Sequence, residues 1–175
     1  WLKALAAAPE IAEVPAFSKD TLAELDLVVS GFAVADADAV KKIEAVTNHD
    51  VKAVEYWLKE RFKNNAEVMK VTEFIHFGCT SEDINNTSHA LMLKEATEAI
   101  LLPGLDRVFE RFRTLAHELA ELPLLARTHG QPATPTTLGK EMANVAARLI
   151  RARARIAGVN MMAKFNGAVG NYNAH

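Results

Sequence analysis

A chain of 175 residues that is 50% hydrophobic and 24% charged holds enough apolar material for a sizeable core. Its net charge of −2 gives no basic field for nucleic acid or for an acidic membrane surface, and no apolar run approaches the ~18 residues of a membrane span. The single cysteine, Cys79, excludes an internal disulfide and fits a reducing, cytoplasmic compartment.

Apolar positions recur at helical spacing almost throughout, and no stretch alternates as a strand would. Ser18 is placed to cap a helix carrying Leu22, Leu25, Val28 and Val29. Val40, Ile43 and Val46 mark the next helix, which stops at TNHD (47–50). From Asp50 another carries Val51, Val54, Leu58 and Phe62 on one face. A connecting segment then runs through TEFIHFGC, and Thr80-Ser81 open a long helical tract. Glu82 and Asp83 fall in its first turn, where the macrodipole favours acids. Leu105, Val108, Phe112, Leu115, Leu119 and Leu122 extend the tract in a 3-4-3-4-3 series, with Pro103-Gly104 expected to kink or interrupt it upstream. After a loop at RTHGQPATPT (127–136), a last helix carries Leu138, Met142, Val145, Leu149, Ala152, Ile156 and Val159. Series of this kind belong to helices packed at shallow angles. The expected fold class is therefore all-α, an elongated bundle of long helices. Both ends of the chain read as cuts within a longer protein.

Three polar interruptions each hold a histidine. In TNHD, Thr47 or Asn48 is suited to capping and Asp50 to the first helical turn, which leaves His49 as the extra residue. Capping alone is one reading; a neutral imidazole donor beside free helix amides that suit an anion is the other. In FIHFGCTSEDINNT, Gly78 permits a tight turn, and Thr80 and Ser81 bring two hydroxyls to a helix start. An N-cap explains one hydroxyl and leaves the second for a carboxylate or phosphate. His76, between Ile75 and Phe77, reads more simply as a packed core residue. In RTHGQPATPT, Pro132 and Pro135 stiffen the segment around His129 and Gln131. Rigidity around a histidine and an amide is what a positioned acid or base requires.

Other chemistries find less support. No HExxH or other close ligand pair unites the histidines, no phosphate loop or nucleophile elbow is present, and GAVG (167–170) is too short for a dinucleotide fingerprint. Arg148, Arg151 and Arg155 share a helical face that suits a solvated surface or a subunit contact better than RNA.

Taken together, TNHDVKAVEYWLKE, EFIHFGCTSEDINNTSHALMLKEA, LARTHGQPATPTTLGKEMANVAARL and KFNGAVGNYNAH resemble the fumarase/aspartase superfamily and, within it, the adenylosuccinate lyase family. The resemblance spans essentially the whole chain. It implies a truncated long-helix bundle with an N-terminal helical domain over 1–79 and the first part of the central bundle domain over 80–175. It also implies β-elimination of fumarate from succinylated purine nucleotides, without metal or cofactor. The partners implied are those small-molecule substrates and further copies of the chain in a homotetramer with shared active sites, not nucleic acid or membrane. By the same resemblance, His129 is the general acid, and Asn48, His49, Asp50, Thr80, Ser81 and Gln131 bind substrate. The family's base is a serine on a loop downstream of these residues, so the fragment alone is expected to be inactive. Two rivals stay open: another fumarate-releasing lyase, such as an argininosuccinate lyase or a fumarase, and a helical scaffold without activity.

Overall fold

The computed structural model describes residues 1–172, so the Asn-Ala-His end of the fourth motif, including His175, lies outside the described residues. These residues form two compact units, one of Trp1–Thr87 with the segment from Lys164 onward and one of Ser88–Ala163.

In the first unit α1 (Leu2–Ala7), α2 (Lys19–Ser30), α3 (Val34–Thr47), α4 (Asp50–Arg61) and α5 (Ala66–Lys70) follow in order, then a 3-10 turn over Thr72–His76 and the start of α6 (Ser81–Ala96). Leu2, Leu5, Val28, Phe62, Val68 and Val71 make the core, with Trp57 and Leu58 packed against it. Phe62 is 2% exposed and Val68 fully buried, so truncating Phe62 to alanine removes about 3–5 kcal/mol. Ser18 caps α2 by accepting the Thr21 amide, as its position predicts. Its own amide is held by Glu67 at 2.8 Å. Asn65 caps α5 through the Glu67 and Val68 amides and donates to Glu24 of α2 at 2.6 Å. The two helix starts are thus locked to each other. Glu55, 5% exposed, lies between Lys52 and Lys59, and Lys59 also reaches Glu73, which ties α4 to the 3-10 turn.

α6 runs into α7 (Leu102–Glu118) through a π turn at Thr97–Leu101. This interruption stands just upstream of Pro103-Gly104. Pro103 falls in the first turn of α7, where its missing N–H costs least and the wider turn accommodates its ring. In the second unit α7 and α8 (Leu138–Ala157) pack antiparallel: Leu138 and Gly139 donate to the Leu122 and Leu119 carbonyls at one end, and Arg153 clamps Asp106 with two bonds at the other. Gly139 is required at the first crossing, because a Cβ there would lie 2.5 Å from the Ala116 carbonyl oxygen.

The structure corrects the expectation of a loop between the last two long helices. The 127–136 loop is a β-hairpin of β1 (Pro123–Thr128) and β2 (Gln131–Thr137), paired from Pro123↔Thr137 to Thr128↔Gln131, with a bulge between Leu125 and Arg127 and their partners. The ribbon is largely exposed on both faces, so it carries no apolar alternation to read. Its prolines are tolerated because each strand of a two-stranded ribbon is an edge.

Candidate functional site

The break between α3 and α4 is built by backbone geometry. Asn48 ends α3 in the left-handed region (φ 52°), its amide returning to the Glu44 carbonyl at 2.8 Å. His49 is extended and, in place of the expected Thr47 or Asn48, is itself the N-cap of α4: its Nδ1 accepts the Lys52 amide at 3.2 Å. The imidazole here plays the part usually taken by a short oxygen-bearing side chain. With Nδ1 accepting, the ring proton of the neutral form is carried by Nε2.

That Nε2 faces Ser81 Oγ at 3.2 Å, in the first turn of α6. Asn85, one turn further along the same face of α6, donates Nδ2 to Asp50 Oδ2 at 2.8 Å, while Asp50 Oδ1 takes the Val51 amide. The Asn85 amide first, and the Val51 N–H after it, hold the Asp50 carboxyl below the usual carboxylate range. His49 and Asp50 remain about half exposed, at 48% and 56% for their side chains, so the couple is open to a ligand. Thr80 stands immediately before α6, and the leading amides of such a helix have no intrahelical acceptor.

Beneath this surface lies a group that the sequence reading placed only in the dipole field. Asp83 is fully buried. Its Oδ1 accepts from Lys164 Nζ at 2.8 Å, the Asn166 amide at 3.1 Å and the Gly167 amide at 3.2 Å, and its Oδ2 from the Thr80 amide at 2.9 Å. Burial alone would raise its pKa, but the Lys164 ammonium and the three amides outweigh it and hold the carboxyl well below its ordinary range. Asn86 completes the clasp, exchanging bonds with the Lys164 backbone through Nδ2 and Oδ1 at 2.9 and 2.7 Å. Nearby, His76 Nδ1 lies 3.3 Å from Cys79 Sγ, and burial, with the Asp83 charge added, pushes that thiol up.

His129 belongs to the second unit. With Gly130 it forms the two-residue hairpin turn, both at positive φ (53° and 77°), as a type I′ turn requires. Histidine is among the side chains that tolerate this region. The turn and the Thr128↔Gln131 pair therefore define the backbone at His129, and Pro132 and Pro135 sit further along β2. His129 and Gln131 are exposed. Of the residues singled out from sequence, Asn48, His49, Asp50, Thr80 and Ser81 lie in the first unit and His129 and Gln131 in the second. Asn85, Asn86 and Lys164 were missed. The Asn-Asn pair of DINNT was visible, but its partners Asp50 and Lys164 are 35 and 78 residues away.

Chemically, the His49–Ser81 couple places neutral hydrogen-bonding groups at two helix starts, which suits an anionic group, while the Asp50 carboxylate held by Asn85 stands beside it as an acceptor for a ligand's donor. Among the described residues no group of three or more His, Cys, Asp or Glu is arranged to hold a metal ion. No helix among them is long and apolar enough to cross a membrane.

A family model described as Lyase matches residues 1–175. The chain is 60% identical over 175 residues to the adenylosuccinate lyase of Vibrio cholerae and 55% identical to that of Escherichia coli. It is matched over 100% of its own length and spans 38% of theirs. Among solved structures it superposes on a fumarate lyase from Mesorhizobium sp. BNC1 with a TM-score of 0.75 at 20% identity, covering 99% of this chain and 38% of that one. A 3-carboxy-cis,cis-muconate lactonizing enzyme from Pseudomonas putida gives 0.74 at 22% identity, covering 99% and 37%. At these identities the likeness speaks for the fold, the mostly helical architecture of the fumarase/aspartase type.

Proposed function

The chain belongs to the lyase family whose model spans residues 1–175, and from that premise we propose that the protein is an adenylosuccinate lyase. It cleaves N6-succinyl-AMP to AMP and fumarate, and the succinylaminoimidazole carboxamide ribotide to the carboxamide ribotide and fumarate, in purine nucleotide synthesis. The observation that carries the reading is the His49–Ser81 contact at the joined starts of α4 and α6, in a chain matched over its whole length by relatives of that name.

In the proposed mechanism a base removes a proton from the succinyl carbon beside a carboxylate, which takes up the developing negative charge. The carbon–nitrogen bond then breaks, fumarate leaves, and His129 gives its proton to the departing nitrogen. Asn48, His49, Asp50, Thr80, Ser81 and Gln131 hold the substrate. Neutral donors at helix starts are supported for this role because they stabilise forming charge without a basic surface. The base is the family's downstream serine, so a polypeptide limited to residues 1–175 releases no fumarate. We further propose a cytoplasmic homotetramer with shared sites. Exposed apolar side chains on α7 and α8, such as Val108 and Ile150, support assembly. The domain division into 1–79 and 80–175 belongs to the same proposal, with the start of α6 at Ser81 in its support.

The test is fumarate release by the full-length protein offered adenylosuccinate, argininosuccinate and malate side by side. Activity on adenylosuccinate alone is expected. Release from another substrate keeps the elimination and overturns the purine assignment; silence on all three from folded protein leaves a scaffold.

A further inference from the structure

Asp83 is fully buried, lies two residues beyond Ser81, and has no place in the proposed chemistry. Its five bonds are unequal in origin. One is local, the Thr80 amide, and it fixes the residue before Ser81. The others come from Lys164, Asn166 and Gly167, with Gly167 donating to both oxygens at 3.2 Å. Lys164 Nζ also donates to the Gly167 carbonyl at 2.5 Å, folding the segment around the carboxylate. Asn86 repeats the tie one turn on, through the backbone of Lys164. Trp1 adds a tie to the same segment: its ring meets Phe165 at a tilt, ring centroids 5.0 Å apart, and its Nε1 donates to the Phe77 carbonyl at 2.6 Å.

We propose that Asp83 is a positioning residue: by binding the 164–167 segment and the Thr80 amide at once, it sets the height and rotation of the α6 start and so the Ser81–His49 contact. The physical basis is the cost of a buried, charged acceptor that loses any of its donors. A carboxylate with every donor in place has one geometry, and Thr80 and Ser81 inherit it. A neutral hydrophobic contact could hold the segment too, but it is non-directional and sets no single orientation for the α6 start. Ser81, which reaches an exposed imidazole over 3.2 Å, has no such tolerance.

This inference rests on the proposed lyase activity for its kinetic readout but not for its structural one. Asp83→Asn in the full-length protein keeps the shape and removes the charge, presenting an amide N–H to one of the donors. The proposal expects KM for adenylosuccinate to rise by about tenfold or more with a smaller change in kcat. It also expects the Ser81 Oγ–His49 Nε2 contact to be broken in the variant's crystal structure. Val68→Ala, in the core of the same unit, controls for destabilisation: it lowers the melting temperature and leaves KM unchanged. Asn86→Ala, which spares the carboxylate, moves KM in the same direction by less, and it carries the test if Asp83→Asn does not fold. An intact Ser81–His49 contact, or a KM that moves no more than in Val68→Ala, overturns the proposal. Wild-type protein inactive on adenylosuccinate would instead overturn the activity reading, and the crystallographic contact would still decide the role of Asp83.

Discussion

His49 is engaged at both ring nitrogens, Nδ1 by the Lys52 amide and Nε2 by Ser81 Oγ, while His129 stands exposed at the tip of a two-stranded ribbon. The helix that carries Ser81 is pinned from below by Asp83 and a segment some eighty residues downstream. The ribbon tip depends on two positive φ angles and one ladder pair, with Arg127 reaching the Gly130 carbonyl at 3.4 Å. On the roles proposed for these residues, the contrast separates two kinds of requirement. A group that grips a substrate throughout the reaction gains from being fixed beforehand. A group that delivers a proton to a leaving atom needs a defined backbone and an open approach.

The largest expected effect tests the tip. His129→Ala in the full-length protein lowers kcat by a factor of ~100 or more, with fumarate release as the readout. A near-normal kcat removes His129 from acid catalysis. The next tests the pin by acid. The Asp83 carboxyl is held below its ordinary value in the folded state. The unfolded chain therefore binds more protons between the two values. The stabilisation is complete above the unfolded pKa, about 4, and fades as pH falls below it toward the folded one. Melting temperature followed from neutral pH downward falls steeply below pH ~4 in the wild type. In Asp83→Asn it starts lower and falls less steeply, and parallel curves would mean that other carboxylates set the acid limb.

Sequence reasoning reached the pinned arm and the tip unequally. Helix positions followed from apolar spacing, because a helix buries one face and the period records it; the Ser18 cap followed from its place before Leu22. The hairpin did not follow, because β1 and β2 bury little on either face and carry three prolines. The signal present was the His129-Gly130 dipeptide at a two-residue turn, which reads as a hairpin only if histidine is allowed at positive φ. The capping of α4 by His49 was hidden because an imidazole nitrogen rarely takes that part. The Asp83 clasp was hidden for a different reason: its partner Lys164 is 81 residues away, and no local pattern records so distant a bond.

A smaller effect sharpens the account of the tip. At Gly130, φ is 77° and an added Cβ meets nothing within 4 Å. Gly130→Ala therefore isolates backbone preference from crowding and costs roughly 1–2 kcal/mol. The turn opens slightly, and kcat falls by less than in His129→Ala. If both kcat and melting temperature are unchanged, the ribbon relaxes freely and the turn does not define where His129 stands.

The smallest effect returns to the pinned arm, at its most exposed bond. Asn85 is the main reason the Asp50 carboxyl lies below its ordinary range. Asn85→Ala releases Asp50 toward that range, so Asp50 takes up its proton at a higher pH than in the wild type. Because Asp50 is half exposed, water replaces much of the lost bond, and KM at neutral pH rises only about two- to threefold. The informative quantity is the acid limb of the KM profile, which moves to higher pH. Asn85→Asp moves it further in the same direction, since a second carboxylate would stand where the 2.8 Å donor was. A KM profile unchanged in both variants would show that substrate does not depend on the Asp50 charge, and would remove Asp50 from the residues proposed to hold it.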